Sequence, residues 1–83
     1  MNFTTVKEFN KQYENLRTEI LERHGYKPGD PVRLKKAMVL MFSFDNGENF
    51  ISTGQYTITG MKDKIRMYEM SDSNVVFKLK ALV

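Results

Sequence analysis

The sequence predicts an α+β fold in which one N-terminal amphipathic helix precedes a four-stranded antiparallel β-meander. Three observations predict it. The first 24 residues carry one apolar stripe of helical period, much of the chain beyond residue 30 alternates apolar with polar or basic residues, and Asn46-Gly47 stands between Asp45 and Glu48. A small, partly closed β-barrel capped by the helix would use the same elements and is the alternative. The chain has 83 residues, 41% of them hydrophobic, including six phenylalanines and four tyrosines. That is enough for one domain, residues 1–83, with a thin core that a homodimer would supplement.

The helix is expected over residues 5–24. Val6, Phe9, Tyr13, Leu16 and Ile20 recur at intervals of three and four, and Leu21 widens the stripe. Thr5 and Glu8 match a capping box, Glu19 and Arg23 are spaced for an ion pair, and Gly25 stands where a left-handed terminal residue is wanted. The turn-rich segment from Gly25 to Pro31 then connects to the sheet.

The four strands are expected at about 32–44, 48–59, 64–70 and 74–83. In the first, Val32, Leu34, Met38, Leu40, Phe42 and Phe44 share one parity, and Lys36 interrupts it as a bulge would. Asn46-Gly47 suits a type I′ turn, which requires positive φ at both central residues and sets Phe42 opposite Ile51. Gly54 is a candidate bulge beyond which the register is open. The last strand turns Val75, Phe77, Leu79, Ala81 and Val83 inward. A three-residue loop, Ser71-Asp72-Ser73, would then set Met67 opposite Phe77, Arg66 opposite Lys78 and Lys64 opposite Lys80.

Net charge is +3, and it is unevenly placed. The helix segment is balanced, with Lys7, Lys11, Arg17 and Arg23 against Glu8, Glu14, Glu19 and Glu22, so the excess of bases lies in the strand region. Like charges opposite one another on a sheet repel, and an anion between them relieves the repulsion. Tyr68 shares a parity with Lys64 and Arg66. A basic strand face with an aromatic suits RNA or single-stranded nucleic acid, whose phosphates take the charge and whose unstacked bases lie on rings. The expected nucleic-acid contacts are Lys64, Arg66, Lys78, Lys80 and Tyr68, with Arg33, Lys35 and Lys36 as auxiliary bases. The plainer reading is a solvated face whose lysines discourage edge-to-edge aggregation.

A second expectation comes from surplus apolar residues. Val39, Met41, Phe50, Val76 and Leu82 would point away from the main core, as a protein interface does, and strand addition at the C-terminal edge is a further possibility.

Enzymatic function is not expected. His24 is the single histidine and falls where a cation favours the end of the helix. No nucleophile–histidine–acid arrangement, glycine-rich phosphate loop or metal-ligand spacing is present, so no cofactor or metal is assigned. With no cysteine, disulfides and thiolate chemistry are excluded. The N-terminus has no apolar run of signal or membrane-spanning length, and a cytoplasmic location without membrane contact is expected. The motifs of common RNA modules are also absent. In general character the short, cysteine-free, lysine- and methionine-rich chain resembles accessory proteins of bacteriophages and mobile elements. That resemblance implies, as the alternative function, an inhibitor or antitoxin that binds a host protein such as a nuclease or toxin.

Overall fold

The computed structural model describes residues 2–25, 36–71 and 74–82. The element order is α1 (Val6–Arg23), β1 (Met38–Ser43), β2 (Ile51–Ser52), α2 (Ile58–Met70) and β3 (Val76–Ala81). The strands form an open antiparallel sheet in the order β2-β1-β3. The expected α+β class holds, with corrections to the number of helices, the number of strands and the barrel alternative. There are three strands among the described residues, not four, and the sheet is open rather than a barrel.

α1 forms as its stripe dictates. Phe9, Ile20 and Leu21 are buried, and Val6, Tyr13 and Leu16 pack half-buried against the core. The Thr5 hydroxyl accepts the Glu8 N–H at 3.2 Å, and the Glu8 carboxylate accepts the Thr5 hydroxyl at 3.0 Å. At the other end Gly25 takes φ +79° and donates to the Glu22 carbonyl.

The β1–β2 hairpin keeps the expected register, with Phe42 opposite Ile51 and Met41 opposite Ser52. Asn46 and Gly47 have φ of 59° and 88°, and the Glu48 N–H donates to the Asp45 carbonyl, so the turn is of the anticipated kind. A Cβ on Gly47 would meet only the movable end of the exposed Asn2 side chain, at 2.9 Å, so it is the positive φ that favours glycine there. Pairing ends after Ser52 because the chain bulges at Gly54, φ +77°. Thr53 donates to the Leu40 carbonyl while the Leu40 N–H donates to Gln55, which places three residues opposite one. Strand two is therefore much shorter than 48–59.

The main correction is residues 64–70, expected as a strand and found within α2. Alternation from Lys64 to Met70 is real, but it is a short window inside a longer helical one. Ile58, Met61, Ile65 and Tyr68 recur at intervals of three, four and three. Met, Lys, Arg and Glu between them are good helix formers, and the Thr57 hydroxyl caps the start by accepting the Gly60 N–H at 3.1 Å. The strand reading turned Met67 inward and Tyr68 outward. In α2 Met67 is 52% exposed, and Tyr68 packs against the core.

β3 therefore pairs with β1, not with a third hairpin strand. Met38 faces Ala81, Leu40 faces Leu79 and Phe42 faces Phe77. These side chains, with Met61 and Ile65 of α2 and Phe9 and Ile20 of α1, form the core on one side of the sheet. Phe42, Phe77 and Tyr68 lie with ring centroids 6.0–6.5 Å apart. The far edge of β3 receives Phe3, whose backbone exchanges two hydrogen bonds with Phe77. The first part of the expected strand 32–44, the connector from Tyr26 to Pro31, Asp72, Ser73 and Val83 lie outside the described residues.

Candidate nucleic-acid interface

Side chains alternate along β3, so Phe77 and Leu79 turn toward the helices while Val76, Lys78 and Lys80 turn to the other face. Ser43, Met41 and Val39 of β1 stand directly across from those three. This outer face is closed at Val39, which is 4% exposed, and opens toward Met41 and Lys78. There a groove of about 650 Å³ is lined by Met41, Phe50, Lys78 and Lys80, with Glu48 and Asn49 among the loop residues on its rim. The Lys78 Nζ stands 4.4 Å from the centroid of the Phe50 ring, within cation–π range.

The loop that carries Phe50 is tied down by its own polar groups. The buried Ser43 hydroxyl donates to Asp45 Oδ1 at 2.5 Å and accepts the N–H groups of Asp45 and Gly47. The Asp45 carboxylate also accepts the Asn49 N–H and side-chain amide, both at 2.9 Å. These donors, the Ser43 hydroxyl first and Asn49 next, stabilise the ionised form and lower the Asp45 pKa from 3.8 to about 2. The residues leading to Phe50 are therefore tied together by hydrogen bonds within the loop itself.

No family model, curated protein or solved structure matches the chain. The site is consequently read from its own chemistry. Among the described residues no group of three or more His, Asp or Glu side chains is placed to hold a metal, and no helix is long and apolar enough to cross a membrane.

The fold separates the expected basic residues. Lys78 and Lys80 share the outer face with Met41, Phe50 and Val76, and Leu82, 45% exposed, continues their parity. Lys64 and Arg66 are on α2, which packs on the inner face through Met61, Ile65 and Tyr68. The pairs Arg66–Lys78 and Lys64–Lys80 therefore do not exist. Arg66 instead lies 3.6 Å from Asp63, an exposed ion pair within the helix. Tyr68, expected beside the bases, contacts Phe42, Phe44 and Phe77. Lys36 is on neither group of bases and stands over Tyr56 at 5.8 Å. Arg33 and Lys35 lie outside the described residues.

Sequence reasoning missed the rim residues Glu48 and Asn49 and the meeting of Phe50 with Lys78. The signal for the latter was available. With Phe42 opposite Ile51, Phe50 shares a parity with Met41, and only the pairing of β3 with β1 was needed to bring Lys78 beside it.

Proposed function

We propose that the protein is a non-catalytic binder of single-stranded nucleic acid, with RNA favoured, and that it engages the strand on the outer face of the sheet. The observation that carries this reading is the meeting of Phe50, from the hairpin loop, with Lys78 and Lys80 of β3 around one open groove. A base stacks on Phe50, Met41 provides apolar floor, and the two ammonium groups take adjacent phosphates. Lys78 is already at the ring, so strand binding shifts its ammonium from the ring face to a phosphate. Glu48 on the rim opposes indiscriminate polyanion binding by like-charge repulsion.

A salt titration of binding to a short single-stranded RNA tests this. Two phosphate contacts give a slope of log K against log salt of about −1.4, at roughly −0.7 per contact. Absence of binding at low salt rejects the reading.

A second reading, an inhibitor that docks on a host protein, is favoured by apolar groups outside the groove. Phe44, Ile51 and Met70 are 58%, 55% and 88% exposed. Co-purification with and without nuclease separates the two. Recovery of a partner that survives nuclease favours direct protein contact, and recovery that nuclease abolishes favours the strand.

A further inference from the structure

We propose that a second cleft, between Tyr13 of α1, the Gly54 bulge and the start of α2, binds a single nucleotide unit, a flat base carrying a phosphate. The cleft measures about 530 Å³, within the range of small-ligand sites, roughly 300–1,000 Å³. It shares no lining residue with the outer-face groove. Either site can therefore fail without the other.

The lining chemistry is specific. Tyr13 and Tyr56 present two aromatic rings, Gln55 an amide that can pair with a base edge, and Ile58 an apolar wall. Among the described residues, Lys36 is the charged member of the lining. Its Nζ lies 5.8 Å from the Tyr56 centroid, so cation and stacking surface share one wall. Burial pushes the Tyr13 phenol pKa up from its ordinary value, and its hydroxyl can donate or accept a hydrogen bond.

The backbone favours the same reading. Lys36 takes φ +51°, the left-handed region that side chains with a Cβ disfavour. Such conformations persist where the surrounding structure over-determines them, and they cluster at ligand clamps. Gly54, also in the lining, is left-handed as well, and a Cβ there would meet nothing within 4 Å.

A free mononucleotide and one nucleotide of a strand offer the same chemistry. The test is a set of proton–nitrogen NMR titrations of the full chain with adenosine 5′-monophosphate, adenosine, inorganic phosphate and a short oligoadenylate. The monophosphate is expected to shift the amides of Lys36, Gln55 and Tyr56 saturably, with adenosine or phosphate alone much weaker. Tighter binding of the oligoadenylate at the same amides assigns the site to a strand, and equal or weaker binding assigns it to the free nucleotide. Tyr56→Ala should weaken binding at least about fivefold, as loss of one base–aromatic stack does, while Tyr56→Phe retains it. Lys36→Asn should also weaken binding, and asparagine tolerates the left-handed backbone, so the variant keeps its fold. The proposal is overturned if neither nucleotide ligand shifts these amides at millimolar concentration. It is equally overturned if a folded Tyr56→Ala or Lys36→Asn variant binds like wild type.

Discussion

The two faces of β3 have opposite fates although they come from one six-residue strand. Phe77 and Leu79 turn into an aromatic cluster covered by both helices, whereas Lys78 and Lys80 turn to an open groove beside Phe50. The inner face is held by area removed from water and by ring–ring contact. The outer face carries a hydrogen-bonded loop, is closed at Val39 and Ser43, and opens into the groove beside Met41 and Lys78. On the proposed reading, stability and binding fall to alternate residues of one strand, and changes on one face should leave the other nearly untouched.

The largest expected effect is on the inner face. Phe77→Ala removes a ring that is 1% exposed and meets Phe3, Phe42 and Tyr68. It should cost about 3–5 kcal/mol in a urea melt. Lys80→Ala, three residues along and exposed, should cost no more than about 0.5 kcal/mol. A comparable loss from both would break the division between faces.

A proline in the interior of α2 should come next. Lys64→Pro removes a helical hydrogen bond and is expected to cost about 3 kcal/mol or more. Met67→Glu, at a side chain 52% exposed, should stay within about 0.5 kcal/mol. Were residues 64–70 a strand with Met67 against Phe77, that second change would instead be severe.

Smaller effects are expected at the loop below the groove. Ser43→Ala leaves the Asp45 and Gly47 N–H groups without the hydroxyl that accepts them, at a cost of about 1–3 kcal/mol. It should weaken strand binding too, because the loop then no longer fixes Phe50. Asp45 gives the corresponding pH dependence. Its folded pKa, about 2, lies below the ordinary 3.8. Its contribution is therefore fully present above about pH 4 and is lost as pH falls through about 2. Acid titration of wild type against Asp45→Asn checks this, and only the wild type should show the loss.

Much of the hairpin was legible because its signals are local. Asn46-Gly47 dictates a turn geometry, the geometry dictates Phe42 opposite Ile51, and Gly54 marks where the register breaks. The stripe and caps of α1 were legible for the same reason. α2 was not, because Lys64 to Met70 satisfies two periods at once, and Gly60 looked like a turn when it is the residue whose N–H caps the helix on Thr57. That single error moved Lys64, Arg66 and Tyr68 onto the wrong face and made a four-base patch where the fold brings two lysines together. The site itself depends on β3 crossing to pair with β1, a long-range choice that neither strand encodes alone.

Methionine methyl groups report on both faces at once. Met41 lies on the outer face, Met38 and Met61 are buried, and Met67 and Met70 are exposed on α2. With methyl-labelled methionine, adding a short single-stranded RNA should shift the Met41 signal and leave Met67 and Met70 in place. Replacing Lys78 and Lys80 by alanine should abolish the Met41 shift, whereas replacing Lys64 and Arg66 should not. Shifts at Met67 and Met70 with Met41 unmoved would contradict the account.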